Sequence, residues 1–132
     1  MTDPTIIQAK RYGVYTCAHR VSLLKAARQM AEEDISALVV VDENGYLLGI
    51  ITRTDLMRAF CDYEDWAERP VEDYMSRQVV TVSPRDHLRE VAQLLLDKGI
   101  HRVVAVQLEE GKQKPIAVIS AADIVYHMSK GN

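Results

Sequence analysis

Two short stretches pair a hydroxyl with a carboxylate three residues later: Thr52-Arg53-Thr54-Asp55 and Ser120-Ala121-Ala122-Asp123. Each follows an apolar run, Gly49-Ile50-Ile51 or Ala117-Val118-Ile119, so each reads as a strand passing into a helix. A helix N-terminus carries N–H groups without intrahelical partners and the positive end of the dipole. A hydroxyl there is well placed beside a phosphate. A carboxylate is a two-oxygen acceptor suited to a cis-diol. The same spacing is also an ordinary capping box, in which both side chains serve only their own first turn. The two readings compete, because a carboxylate folded back on its helix is drawn away from a diol. Cations lie close by in sequence. Arg53 sits inside the first motif, where the second has Ala121. His101-Arg102 stand just before a strand of the second half, where the first half has Ser36-Ala37. Arg102 carries a planar fork that matches phosphate, or is a surface arginine beside a strand. His101 is a phosphate or ring contact, or an ordinary half-buried histidine.

Other chemistry finds less support. Cys17, Cys61, His19, His87, His101 and His127 lack the spacing of a zinc site. There is no Gly-rich phosphate loop and no dinucleotide fingerprint. No nucleophile elbow supports a Ser-His-Asp triad. No catalytic residue is assigned and no cofactor is required, so the chain reads as a non-enzyme. Cys17 falls in an expected strand and belongs to a core, Cys61 falls at a helix end, and His19 and His127 are expected on the surface. Two cysteines cannot make a disulfide framework, which points to a reducing, cytoplasmic compartment.

The elements that must position the two motifs come as a repeat. Val14–Val41 matches Val79–Val106 at an offset of 65, with Val14/Val79, Thr16/Thr81, Leu23/Leu88, Ala27/Ala92, Ile35/Ile100, Val39/Val104 and Val41/Val106 among the identities. After a loop the match resumes at an offset of 68 with Ile51/Ile119, Thr52/Ser120 and Asp55/Asp123. The extra residues fall in the polar stretch Glu109–Lys114, read as a loop. Each half begins with an extended lead-in, Val14–Cys17 or Val79–Val82. A helix follows in each. In the second half Ser83 is expected as its N-cap, Pro84 as its first residue and Asp86 as the capping-box partner. Gly99 and Asp34 are expected to end these helices as left-handed residues. Next come a buried strand, Leu38–Val41 or Val103–Val106, a hairpin signal at Asn44-Gly45, a return strand and a closing helix. The fold class is α/β (α+β), in the order β-α-β-β-α, twice. A three-stranded sheet with one helix layer leaves an apolar face, so the halves are expected to pack on each other. The domain expectation is a first repeat over residues 8–60, an acidic linker over 61–74 and a second repeat over 75–130.

Composition sets the outer limits. The 132 residues are 48% hydrophobic and 27% charged, the balance of a globular protein rather than a disordered one. No apolar run is long enough to span a membrane, and the N-terminus has no secretory pattern. A net charge of −3 makes nucleic acid an unlikely partner. Acidity is concentrated in the linker, where Asp62, Glu64, Asp65, Glu68, Glu72 and Asp73 face one base, Arg69. Phe60, Tyr63 and Trp66 border it and are read as packing against the linker or a second subunit.

The chain resembles the CBS (cystathionine β-synthase) domain family, small modules that occur in tandem pairs. The likeness covers residues 12–128. It is carried by Val71–Pro84, which looks like the start of a CBS repeat, and by Gly49–Asp55 with its counterpart Ala117–Asp123. The first repeat's lead-in, Lys10-Arg11-Tyr12-Gly13, is more divergent and lacks the proline. The resemblance implies a pseudo-twofold CBS pair with two clefts that commonly bind AMP, ADP, ATP or S-adenosylmethionine. By position it implies Asp55 and Asp123 on ribose hydroxyls and Thr52 and Ser120 on phosphate. The backbone at Thr16-Cys17 or Thr81-Val82 would line the adenine. The cleft with Asp123, Ser120 and Arg102 ranks first, because it joins motif to cation, although Ala117 adds a methyl where the first repeat has Gly49. The resemblance further implies a homodimer and an enzyme or transporter regulated through a partner chain. The expected function is a stand-alone regulatory module binding an adenosine-containing ligand. The alternative is a ligand-free dimerisation scaffold.

Overall fold

The computed structural model of the protein describes residues 3–9 and 13–130. The lead-in residues Lys10, Arg11 and Tyr12 lie outside the described residues. In chain order the elements are α1 (Ile6–Ala9), β1 (Thr16–Ala18), α2 (Leu23–Glu33), β2 (Ala37–Val41), β3 (Leu47–Thr52) and α3 (Arg53–Asp62). After the 3-10 turns Trp66–Glu68 and Val71–Asp73 come β4 (Thr81–Val82), α4 (Leu88–Lys98), β5 (Arg102–Glu109), β6 (Lys112–Ser120) and α5 (Ala121–Ser129). The chain forms two compact units, one of Tyr15–Val79 and one of Val80–Asn132 joined by Met1–Val14.

The anticipated order β-α-β-β-α is present in both. Each unit holds a three-stranded sheet whose first strand pairs parallel and whose third pairs antiparallel to the middle one. The registers coincide at the offsets seen in the sequence. Thr16 faces Val39 as Thr81 faces Val104, and Leu38 faces Ile51 as Val103 faces Ile119. Even the irregularity repeats, between Val40 and Val41 and between Ala105 and Val106.

Each long helix forms because its apolar residues recur on one face. Leu23, Ala26 and Met30 of α2 pack under β2 with Leu38 and Val40. Leu88, Val91 and Leu95 of α4 pack with Val103 and Ala105. Each fully buried Leu or Val contributes roughly 1.5–3 kcal/mol of transfer free energy. Ser22 caps α2 by accepting from the Lys25 N–H at 3.1 Å. Asp34 and Gly99 end α2 and α4 in the left-handed region, at φ 50° and 63°.

Two local expectations are corrected. Ser83 does not cap α4. The Ser83 N–H donates to Asp86 Oδ2, and Arg85 and Asp86 donate back to Ser83, which closes a tight turn. The carbonyls of Pro84 and Asp86 then accept from Ile7 and Ile6 instead of a next helical turn, so the helix starts at Leu88 after His87. The polar stretch Glu109–Lys114 is not an irregular loop. β5 and β6 run on as a ribbon to the pair Glu109–Lys112, turning on Glu110 and Gly111, both at positive φ. In the shorter hairpin only Gly45 takes positive φ, at 85°, while the Asn44 N–H bonds to Asp42 Oδ1.

The segments that lead into the repeats are docked reciprocally. The bond Ile6 N–H to Asp86 O corresponds, 65 residues on, to Val71 N–H to Val21 O. Ile7 to Pro84 corresponds to Glu72 to His19, and Leu88 to Pro4 corresponds to Leu23 to Arg69. Ile6 and Val71 are both fully buried, each in the core of the repeat it does not lead into. The acidic segment is thus fastened rather than loose. Phe60 and Trp66 meet edge to face at 5.7 Å, and the Arg69 guanidinium lies 3.6 Å from the Tyr63 ring centroid while donating to Tyr74 Oη. The aromatic run therefore packs against the linker, as read from the sequence.

Candidate functional site

Each closing helix begins in a complete capping box. The Thr52 N–H and hydroxyl donate to Asp55 Oδ2 at 2.9 and 3.0 Å, and the Asp55 N–H returns a bond to Thr52 Oγ1 at 3.3 Å. Ser120 and Asp123 reproduce this at 2.8, 3.1 and 3.1 Å. The anticipated competition between cap and diol is thereby recast. Only Oδ2 of each carboxylate serves the box, and Asp55 Oδ1 lies 4.0 Å from Arg58 Nη1. A carboxylate has two oxygens, so capping leaves one outside the box.

The helix ends have limited room for an anion. The first N–H of α3, on Arg53, donates to Ser36 O, and the first of α5, on Ala121, donates to His101 O. The third N–H of each is spent on the cap hydroxyl. Among the first-turn donors that leaves the N–H of Thr54 and of Ala122. These blocking carbonyls come from the residues just before the middle strands, brought there because Ala37 pairs with Thr52 and Arg102 with Ser120.

Arg102 therefore lies beside Ser120 across the β5–β6 ladder, half-buried, while His101 is exposed rather than half-buried. Arg53 is exposed and pairs with the left-handed Asp34 at 3.4 Å. Thr16 and Cys17 lie on β1, two strand spacings (about 10 Å) across β2 from Thr52 and further displaced along the strands, since they face Val39 and Val40 while Thr52 faces Ala37. The Thr16 carbonyl accepts from Gln29 Nε2 at 3.2 Å. Cys17 belongs to the core, and burial pushes its thiol up to about 11. Thr81 and Val82 hold the same place on β4. Thr81 accepts from Gln113 on the ribbon at 3.4 Å and Val82 is buried. Within each repeat the motif and the lead-in strand are held apart by one strand.

Gly49 is explained by packing. A Cβ there would meet Ser76 O at 2.6 Å and Met75 Sδ at 2.8 Å. The segment Met75-Ser76, just past the linker, is enough to demand the glycine, and Ala117 in the equivalent place is a core residue.

Sequence reasoning missed one polar cluster. His19, expected on the surface, is largely covered and places Nδ1 2.6 Å from Glu72 Oε2 and Nε2 3.2 Å from Glu43 Oε1. Its partners are 53 and 24 positions away, so no local spacing announces it. Among the described residues no group of three or more His, Cys, Asp or Glu side chains is arranged to hold a metal ion, and no helix is long and apolar enough to cross a membrane.

Comparison with known proteins matches this geometry. A sequence model described as "CBS domain" matches residues 9–62 and again 71–130. A 17.7 kDa protein of Acidianus ambivalens is 26% identical over 111 residues, 84% of this chain and 65% of its own length. The chain spans 65%, 63% and 44% of the length of the first three curated relatives it matches. The CBS domain pair of MJ0100, solved with 5′-methylthioadenosine and S-adenosyl-L-methionine, superposes with a TM-score of 0.83 at 24% identity, covering 98% of each chain. CBSX2, solved with AMP, superposes at 0.81 and 20% identity, covering 96% of this chain and 97% of its own.

Proposed function

The chain belongs to the CBS domain family, carrying two copies of the domain, and from that premise we propose that it is a regulatory module for an adenosine-containing ligand. The ligand class is AMP, ADP, ATP or S-adenosylmethionine. The observation that carries the reading is the duplicated hydroxyl–carboxylate box at the starts of α3 and α5. In this reading Asp55 or Asp123 accepts from the ribose hydroxyls with the oxygen outside the box. Thr52 or Ser120, with the N–H of Thr54 or Ala122, faces phosphate, and Arg53 or Arg102 supplies the cation. Backbone at Thr16-Cys17 or Thr81-Val82 faces adenine, and His101 borders the phosphate. Ligand binding favours one of two conformations, and a homodimer or a regulated enzyme or transporter reads the difference. The structures of MJ0100 and CBSX2 support the ligand class by the adenosine compounds bound in those proteins.

A second reading, a ligand-free dimerisation scaffold, is favoured by the completeness of both capping boxes. Calorimetry and thermal unfolding with each of the four compounds separate the two. A ligand at one hundred times its Kd stabilises the native state by about 2.7 kcal/mol. Asp55→Ala and Asp123→Ala each cost about 1 kcal/mol through the cap, and on the ligand reading at least one also abolishes binding. No response to any of the four compounds at millimolar concentration overturns it in favour of the scaffold.

A further inference from the structure

The two repeats hold their docked lead-in segments by the same backbone bonds, but only one adds a titratable cluster. The Glu72 N–H donates to His19 O as the Ile7 N–H donates to Pro84 O. In the second case proline and isoleucine stand where the first has histidine and glutamate, and the backbone bond still forms. The imidazole is therefore not needed for docking. Its addition joins three pieces of chain: the residue after β1, the linker through Glu72, and the β2–β3 turn through Glu43. We propose that His19, Glu72 and Glu43 form a proton-controlled tether that ties the hairpin turn to the linker of the first repeat.

The argument is one of donor count. An imidazolium has two N–H donors and satisfies both glutamates. A neutral imidazole has one donor and one lone pair, and the lone pair repels a carboxylate. Only the protonated ring holds both. On deprotonation the remaining N–H stays with Glu72, the closer and more covered partner at 2.6 Å. Glu43, at 3.2 Å and 73% exposed, is released to water. The charged groups that act on the ring are Glu72 from the linker and Glu43 from the turn. Behind Glu43 stands Asp42, whose Oδ1 accepts from the Asn44 and Tyr46 N–H groups. Both glutamates favour the charged ring, against a smaller opposing effect of burial, and hold its pKa above the usual 6.5. The stability that the double tie contributes is therefore present in full below the ordinary imidazole value of about 6.5 and is lost as pH rises through the raised value.

The test is an NMR titration of the imidazole carbons together with the amide signals of the turn. His19 is expected to titrate above 6.5, and the Asn44 and Gly45 amides are expected to move with the same midpoint. Glu43→Gln removes an exposed carboxylate and leaves the fold intact. It is expected to lower the His19 midpoint and to abolish the coupled shift of the turn. Glu72→Gln is expected to lower the midpoint further. A His19 midpoint at or below 6.5, or turn amides indifferent to it, overturns the tether.

Discussion

Gly49 and Ala117 occupy equivalent positions in matching sheets and do different work. At Gly49 the backbone of Ser76, just past the linker, approaches so closely that no Cβ fits. Gly49→Ala is expected to destabilise by about 1–3 kcal/mol, since overpacking displaces backbone. Ala117→Gly loses a buried methyl and gains chain entropy, a cost of about 1–2 kcal/mol. Urea unfolding of both variants checks this, and a neutral Gly49→Ala would show that the Met75-Ser76 segment yields at that point. The residue scale is also where the sequence was least decisive about the candidate site. Thr52-x-x-Asp55 was readable as a capping box, and the box is there. The engagement of Arg53 with Asp34 and of the first helical N–H with Ser36 was not readable, because both partners arrive through the β2–β3 ladder.

At the scale of elements the reading went furthest where periodicity is long. The two long helices, the middle strands and both left-handed helix ends follow from apolar spacing and from Asp34 and Gly99. The start of α4 did not, because a serine–proline–acid pattern fits a helix start and a closed turn equally well. Only the N-terminal segment, by taking the carbonyls of Pro84 and Asp86, chooses the turn. That segment also fills the second repeat's core with Ile6, which is 1% exposed. Ile6→Ala is expected to cost about 2–5 kcal/mol, as for other fully buried isoleucines. Val71→Ala, its counterpart in the first repeat, removes fewer atoms and is expected to cost less. Thermal unfolding of the pair is the check, and an Ile6→Ala variant as stable as wild type would mean that the N-terminal segment is not docked.

For the whole molecule, the two compact units differ in continuity. One is the unbroken stretch Tyr15–Val79, and the other needs Met1–Val14 to complete Val80–Asn132. A fragment of residues 15–79 is therefore expected to keep helical circular dichroism and to unfold cooperatively. A fragment of residues 80–132, lacking Ile6, is expected to do neither. Folding of the second fragment with native-like cooperativity would contradict the docking described for the N-terminus. The duplication, the β-α-β-β-α order and the two hydroxyl–carboxylate pairs were determined by the sequence alone, since each is written in local spacing and in a repeat offset. The exchanged lead-in segments, the glycine demanded by Met75-Ser76, the lengthened ribbon and the histidine between two glutamates were decided only by the tertiary structure. The ribbon is local, a hairpin closed by Glu110 and Gly111 where a polar stretch also fits a loop; the others are caused by contacts between residues tens of positions apart, and chain distance carries no record of which distant groups the folded backbone brings within a hydrogen bond of each other.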